Sequence, residues 1–236
     1  MTRFVRAGLY LVTSQELSRG RSTEDIVSAA LRGGVRLVQL REKSMATRDL
    51  VGLARRLRRM TAEAGALLVV NDRIDVALAV GADGVHLGQD DLPIELARGI
   101  APDLILGAST HSVEEAVAAQ RTGASYVNIG PLFPTGTKAW GGAFIGVEGL
   151  ERIARHVAVP YTVMGGIKKE HIAALIRSGA RIVAVVTAVT AAADPEQAAR
   201  ELLSAIHRAE SRASRNDTPH PTPGANLLLR SRRQQG

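Results

Sequence analysis

The sequence contains no cysteine, few aromatic residues and no long apolar run. The absence of cysteine excludes a disulfide scaffold, a zinc–thiolate site and a cysteine nucleophile, and it suits a reducing compartment. Aromatic residues make up 3% of the 236 residues, too few for the stacking surfaces that bind single-stranded nucleic acid. No run approaches the roughly 18 apolar residues that span a bilayer, and no signal-peptide pattern is visible. We therefore expect a soluble, cytoplasmic protein without a membrane partner.

Positive charge is concentrated near the C-terminal end of the chain. The net charge is +7, and residues 211–236 carry five arginines against one aspartate, which leaves +3 for the rest. This segment is polar and rich in proline, so it buries too little apolar area to offset the entropy lost on ordering. We predict one domain over residues 1–210, a disordered basic tail over residues 211–236, and no nucleic-acid partner.

Eight short apolar runs alternate with longer segments that have helical periodicity. Most runs are continuously apolar, as in strands buried on both faces of a parallel sheet. The segments between them carry apolar residues at helical spacing, as at Leu50, Leu53, Ala54 and Leu57. The predicted strands cover residues 9–13, 37–40, 67–70, 84–87, 104–108, 126–129, 161–164 and 182–186.

A glycine stands shortly before each even-numbered predicted strand, at Gly34, Gly81, Gly123 and Gly179. Glycine supplies the left-handed conformation that ends a helix before the chain enters a strand. The spacing leaves room for a helix, a strand and a helix between successive glycines, which gives four βαβα units. We predict an α/β fold, a single closed (βα)8 TIM barrel; an open doubly wound sheet of the same elements is the alternative.

Polar residues follow the C-terminal ends of most predicted strands, where a barrel places its ligands. Arg41, Lys43 and Lys138 are cations suited to phosphate oxygens. Asp72 and Asp91 are hard oxygen ligands of the kind that Mg²⁺ accepts beside substrate phosphates. Cations and carboxylates together predict a bound diphosphate with Mg²⁺ as the cofactor.

A second phosphate site is predicted after the seventh strand. Gly165 and Gly166 provide backbone N–H groups, a common phosphate cradle at this place in barrels. Thr135 and Thr137 lie in a loop that is long enough to fold over a ligand. The two sites together indicate small-molecule substrates, one a diphosphate and one a monophosphate, and no activated nucleophile is evident.

Each of these residues also has a structural alternative. Asp72 and Asp91 could cap the helices that follow them, and Lys138 could be a solvated surface residue. His86 and His111 are expected to be structural rather than catalytic. The prediction of a ligand site therefore rests on the joint placement of these residues at one edge of the barrel.

Six motifs occur in order along the chain: Gln-Leu-Arg-Glu-Lys at 39–43, Asn-Asp-Arg at 71–73, Gly-Ala-Asp-Gly-Val-His-Leu-Gly-Gln-Asp-Asp at 81–91, Ser109 with His111, Gly-Pro-Leu-Phe-Pro-Thr-Gly-Thr-Lys at 130–138 and Gly-Gly-Ile at 165–167. Together they resemble the thiamine-phosphate synthase family over about residues 8–209. The resemblance implies a transferase that joins an aminopyrimidine methyl diphosphate to a thiazole ethyl phosphate. The carbon–oxygen bond would ionise first, and the thiazole nitrogen would capture the resulting cation.

The resemblance also implies roles for individual residues. Asp72 and Asp91 would bind Mg²⁺, and Arg41, Lys43, Ser109 and Lys138 would serve catalysis. The implied substrate contacts are Gln39, Leu40, Arg41, Glu42, Lys43, Asn71, Ser109 and Lys138 for the pyrimidine diphosphate, Thr135 and Thr137 for the thiazole, and Gly166, Val186 and Thr187 for the thiazole phosphate.

Two departures from the family pattern accompany these matches. Thr187 stands where the family usually has serine, and residues 139–144 replace an acidic, proline-containing stretch. Two other functions stay open as alternatives: a thiazole tautomerase-like enzyme of the same fold, and a non-catalytic sensor of phosphate ligands. The sequence also leaves a homo-oligomer open.

Overall fold

The eight predicted strands form a closed parallel barrel in the computed structural model, which describes residues 1–137 and 141–216. The strands are β1 (Leu9–Val12), β2 (Leu37–Leu40), β3 (Leu67–Asn71), β4 (Gly84–Leu87), β5 (Ile105–Thr110), β6 (Tyr126–Ile129), β7 (Tyr161–Val163) and β8 (Ile182–Val185). Each strand pairs with the next one along the chain, and β8 pairs with β1, in register from Leu9 with Val183. The predicted closed barrel is confirmed, and the open sheet is wrong.

One short helix precedes β1, and the other helices follow the strands. They are α1 (Thr2–Val5), α2 (Thr23–Arg32), α3 (Thr47–Glu63), α4 (Ile74–Val80), α5 (Ile94–Ile100), α6 (Val113–Arg121), α7 (Gly146–Ala154), α8 (Ile172–Arg177), α9 (Thr187–Thr190) and α10 (Pro195–Asn216). The side chain of Asp194 caps α10 by accepting the N–H of Gln197 at 3.0 Å. Over residues 1–137 and 141–216, no helix has the length and hydropathy of a membrane span.

Apolar residues of the strands divide between two cores. Tyr10, Leu37 and Tyr126 fill the inside of the barrel, where they pack with one another. Val38 and Leu40 belong to the larger core between the strands and the helices. Successive side chains of a strand point to opposite faces, so each strand contributes to both cores. This accounts for the continuously apolar runs in the sequence.

The four glycines that divide the sequence into units all adopt positive φ. Their φ angles lie between +62° and +103°, the region that side chains other than glycine rarely adopt. The predicted helix-ending role of these glycines agrees with this geometry. They are Gly34, Gly81, Gly123 and Gly179.

The last helix is longer than the sequence analysis indicates. Helix α10 continues to Asn216, six residues beyond the predicted end of the domain at residue 210. Residues 211–216 contain neither proline nor glycine, so nothing in their composition stops the helix before Pro219. Residues 211–216 are therefore helical. Residues 217–236 lie outside the described part of the chain, and a disordered tail there stays a prediction.

Candidate active site

A cavity of about 560 Å³ opens at the C-terminal ends of the strands. Each of the eight strands, or the segment directly after it, contributes to the lining, from Val12 at the end of β1 to the residues that follow β8. The structure brings together most of the residues that the sequence analysis implicated. These are Gln39, Arg41, Lys43, Asn71, Asp72, Asp91, Ser109, Thr135, Thr137, Gly166, Val186 and Thr187.

Two of the implied substrate contacts, Leu40 and Glu42, do not line this cavity. Leu40 is 1% exposed and packs in the core between the strands and the helices. The alternation of side chains along β2 and the residues after it explains this, because Gln39, Arg41 and Lys43 take the cavity side. Gln39, Arg41 and Lys43 of the 39–43 motif therefore line the cavity, and the implied substrate contacts of Leu40 and Glu42 stay a prediction.

Glu42 has a structural set of partners instead. Its Oε1 accepts hydrogen bonds from the hydroxyls of Thr13 and Thr23 at 2.8 and 2.7 Å. Its Oε2 accepts the backbone N–H of Gln15 at 2.9 Å. The carboxylate thus ties the end of β1 to the start of α2, and the Thr13 hydroxyl accepts the N–H of Arg41 in turn, at 2.9 Å.

The loop after β6 is hydrogen-bonded to the residues that directly follow β7. The backbone N–H groups of Leu132 and Phe133 donate to the carbonyls of Met164 and Gly165 at 2.9 and 3.0 Å. The hydroxyl of Thr135 donates to that of Thr137 at 3.1 Å. Lys138, the implied catalytic lysine of this loop, lies outside the described residues, so its role stays a prediction.

Gly166 allows the loop after β6 to approach β7 closely. Its φ is +60°, and a Cβ atom at this position would overlap the carbonyl oxygen of Pro134. A side chain here would therefore be strained and would push the loop away. The close approach of the loop therefore requires glycine at position 166.

Asp72 and Asp91 form a close carboxylate pair beside Lys43. Asp72 Oδ2 lies 3.3 Å from Lys43 Nζ, and Asp91 Oδ2 accepts the backbone N–H of Gly88 at 2.7 Å. Burial raises the pKa of Asp72 above its ordinary value, the neighbouring Asp91 carboxylate raises it further, and Lys43 opposes both effects. Burial and the neighbouring carboxylate thus both disfavour the charged form of Asp72.

Neither carboxylate caps a helix. The N-cap residues of α4 and α5 are Arg73 and Pro93, and no side chain caps either helix. The capping alternative for Asp72 and Asp91 is therefore wrong. A pair of neighbouring carboxylates fits Mg²⁺, which usually takes one or two carboxylates from protein and fills its other positions with water and phosphate oxygens. Among the described residues there is no group of three or more side chains that could hold a metal ion.

A buried hydrogen-bonded chain of side chains lies beneath the cavity. His86 joins Tyr126 through Nδ1 at 2.9 Å and Ser109 through Nε2 at 3.0 Å. The hydroxyl of Tyr126 also bonds that of Tyr10 at 3.1 Å, and Gln39 Nε2 donates to Tyr10 at 2.7 Å. Burial lowers the pKa of His86 to about 4 and raises the pKa of both phenols above the ordinary value. At neutral pH, all three rings are uncharged.

The motifs of the sequence do not single out Tyr10 and Tyr126. Both tyrosines occur within apolar runs and are fully buried, so they look like core residues. Their hydroxyls become part of the site because their side chains point into the barrel. To predict this, one would have to know which residues of β1 and β6 face the inside of the barrel. The expectation that His86 and His111 are structural is compatible with their contacts, since His111 Nδ1 bonds the carbonyl of Gly130.

The family of the chain follows from comparison with known proteins. A family model described as thiamine monophosphate synthase matches residues 9–189. The chain belongs to this family.

Individual relatives agree with the family match. The chain is 47% identical to the thiamine-phosphate synthase of Chloroflexus aurantiacus over 205 residues, which cover 87% of this chain and 95% of the relative. It is also 47% identical to that of Archaeoglobus fulgidus over 203 residues, 86% and 95% of the two chains. The thiamine phosphate pyrophosphorylase structure from Pyrococcus furiosus superimposes with a TM-score of 0.81 at 40% identity, covering 89% of this chain and 99% of that one. The chain is accordingly an enzyme, a transferase of thiamine biosynthesis.

Proposed function

We propose that the protein joins 4-amino-2-methyl-5-(diphosphooxymethyl)pyrimidine to a thiazole ethyl phosphate or its carboxylated form, giving thiamine phosphate and diphosphate. The observation that carries this proposal is one cavity with two separate sides suited to phosphate. Carboxylates and cations of β2, β3 and β4 form one side, and residues after β7 and β8 form the other. Because β3 and β4 lie opposite β7 and β8 in an eight-stranded barrel, two phosphorylated substrates can bind with their reacting atoms between these sides.

The first side is suited to a departing diphosphate. Arg41 and Lys43 line it, and their positive charges would stabilise the negative charge that develops on the leaving oxygen. Asn71 on β3 and Ser109 on β5 add polar side chains. Mg²⁺ bound by Asp72 and Asp91 would supply further charge neutralisation for the diphosphate.

The second side is suited to a single phosphate. Gly166 and Val186 offer backbone groups, and Thr187 offers a hydroxyl at the start of α9. Thr187 is exposed at this edge, so its methyl group is not enclosed by packed protein. The threonine that replaces the usual serine is therefore compatible with phosphate binding there.

The arrangement of Ser109 favours substitution without a protein nucleophile. Its hydroxyl bonds His86, but His86 has a pKa of about 4 because of burial and is a poor general base at neutral pH. Nδ1 of His86 faces a tyrosine hydroxyl, whereas a nucleophilic triad places a carboxylate there. The carbon–oxygen bond of the pyrimidine substrate would instead break with its electron pair passing to the diphosphate, and the thiazole nitrogen would form the new carbon–nitrogen bond.

The tautomerase-like alternative uses less of this site. Such an enzyme handles one phosphorylated thiazole and would need only the side formed after β7 and β8. The carboxylate pair and the cations of β2 would then have no ligand. A sensor would bind the phosphates but release no diphosphate, so product formation separates it from the synthase.

The test is an assay of purified protein with both substrates, with Mg²⁺ or with a chelator, scored for thiamine phosphate and diphosphate. We expect both products only when Mg²⁺ is present. Asp103→Asn, an exposed substitution before β5 at the other end of the barrel, serves as the control for Asp72→Asn and should retain activity. Thiazole isomerisation without diphosphate release would favour the tautomerase, and binding of both substrates without either reaction would favour the sensor.

A further inference from the structure

Five side chains form one continuous hydrogen-bonded chain across the inside of the barrel. The order is Gln39, Tyr10, Tyr126, His86 and Ser109, with distances between 2.7 and 3.1 Å. The two ends, Gln39 and Ser109, line the cavity. The tyrosines are at most 1% exposed. The chain therefore connects Gln39 with His86 and Ser109, all residues of the cavity lining, through two buried tyrosines.

The amide of Gln39 fixes the direction of this chain. Its Nε2 can only donate, so the hydroxyl of Tyr10 accepts from it. Tyr10 then uses its single hydrogen to donate to Tyr126, and Tyr126 donates to Nδ1 of His86. The hydrogen of the neutral imidazole is consequently on Nε2, and it is donated to the hydroxyl oxygen of Ser109.

The reverse direction leaves a buried hydrogen without a partner. If Nδ1 of His86 donated to Tyr126, Tyr126 would donate to Tyr10, which already accepts from Gln39. Among the described residues, the hydroxyl hydrogen of Tyr10 would then have no acceptor. An unsatisfied donor in a buried site costs free energy, because the group has lost its hydrogen bond to water.

We propose that this chain orients the hydroxyl of Ser109, so that its hydrogen points into the cavity as a donor to a phosphate oxygen. Gln39, Tyr10, Tyr126 and His86 are positioning residues in this arrangement. The raised pKa values of both phenols keep their hydrogens in place at neutral pH. The assignment of the acceptor as a substrate phosphate rests on the proposed function, whereas the direction of the chain does not.

The direction of the hydrogen bonds decides whether Ser109 can donate a hydrogen bond to an anionic ligand. A serine that donated to His86 would turn only its oxygen lone pairs toward the cavity, and these repel a phosphate oxygen. A serine that accepts from His86 keeps its hydrogen for the ligand, and hydrogen bonds polarise one another along such a chain. Arg41 and Lys43 line the same cavity as Ser109, and their positive charges attract an anion into it.

The test is ¹⁵N NMR of histidine-labelled protein, with the signals of His86 assigned by their loss in His86→Asn. We expect His86 to carry its hydrogen on Nε2 in the unaltered protein. Tyr126→Phe removes the donor to Nδ1 and should give a mixture of the two tautomers. Tyr161→Phe is the matched control, because its hydroxyl bonds the backbone of Ser178 at 3.4 Å outside the chain, and it should leave the His86 signals unchanged.

Two results would overturn the proposal: a hydrogen on Nδ1 in the unaltered protein, or a Tyr126→Phe spectrum with no change at His86. The first measurement needs no variant, so a folding defect of Tyr126→Phe does not weaken it. In the synthase assay, Tyr126→Phe should raise the KM for the pyrimidine diphosphate about tenfold, the loss expected for one hydrogen bond to a charged group. The KM for the thiazole phosphate should not change. If the protein made no thiamine phosphate, the NMR result would still decide the direction of the chain.

Discussion

The negative charge of Asp72 is expected to serve the site, but burial and the neighbouring Asp91 make this charge unfavourable in the folded protein. The φ of Asp72 is +63°, a conformation that asparagine adopts as readily as aspartate, so Asp72→Asn removes the charge without new backbone strain. We expect turnover to fall by about 10²-fold or more, because stabilisation of the departing diphosphate is lost. The assay with both substrates measures this loss.

The same substitution should stabilise the metal-free protein. The pKa of Asp72 is raised in the folded state, so the folded state binds more protons than the unfolded state above the ordinary carboxyl pKa, and stability falls as the pH rises through this range. The melting temperature of Asp72→Asn should therefore exceed that of the unaltered protein by an amount that grows from pH 4 to pH 7. Mg²⁺ should raise only the melting temperature of the unaltered protein. An equal difference at both pH values would contradict the raised pKa of Asp72 that burial and the Asp91 carboxylate cause.

Glu42 is predicted to stabilise the fold rather than to bind substrate. Glu42→Ala leaves the hydroxyls of Thr13 and Thr23 and the N–H of Gln15 without their acceptor. We expect a loss of about 2–3 kcal/mol in the free energy of unfolding, measured by chemical denaturation, because hydrogen bonds to a charged group are among the stronger ones. The exposed Glu95→Ala on α5 is the control. Unchanged stability together with a raised KM for the pyrimidine diphosphate would instead support a contact between Glu42 and this substrate.

At the scale of elements, the sequence predicts where strands lie better than which way their side chains point. The apolar runs place all eight strands to within two residues of their ends. The motif at residues 39–43, however, does not reveal that Leu40 and Glu42 leave the cavity lining, because runs buried on both faces lack visible alternation. The buried tyrosine hydroxyls escape detection for the same reason.

Gly107 makes room for the ring of Tyr126 between neighbouring strands. A Cβ atom on Gly107 would overlap this ring, and Phe4 packs against the ring with centroids 4.4 Å apart, so the ring has little space to move. Gly107→Ala should therefore lower the free energy of unfolding by about 1–3 kcal/mol, as overpacked cores do. It should also disturb the tautomer of His86, which depends on Tyr126.

Gly99→Ala on α5 is the matched control for this substitution. Nothing lies within 4 Å of a Cβ atom at Gly99, and the residue is part of a helix. Alanine is favoured over glycine in a helix by about 0.5–1 kcal/mol, so Gly99→Ala should stabilise the protein. Denaturation curves of both variants measure the contrast. Equal effects of the two substitutions would mean that Tyr126 can move away from Gly107.

For the whole molecule, the repeating pattern along the chain makes the barrel predictable, whereas its closure depends on contacts distant in sequence. Pairing of β1 with β8 and packing of α10 against α2 and α8 join the two ends of the domain. Arg32 of α2 pairs with Glu196 of α10 at 2.8 Å, and Lys169, just before α8, pairs with Glu201 of α10 at 2.7 Å. The sequence indicates the apolar face of α10 but not how far the helix continues.

Truncations from the C-terminal end test where the domain stops. Ending the chain after Asn216 or after Glu210 should change the melting temperature and turnover very little, because residues 211–215 are exposed or half-buried. Ending it after Glu201 removes the buried Leu202, Leu203 and Ile206. Each such side chain contributes about 1.5–3 kcal/mol, so this loss approaches the whole stability of a typical domain and should prevent folding. Circular dichroism melts compare the three chains. A large destabilisation on removing only residues 211–216 would instead place the domain boundary at residue 216, with the last turns of α10 needed to hold the closed barrel.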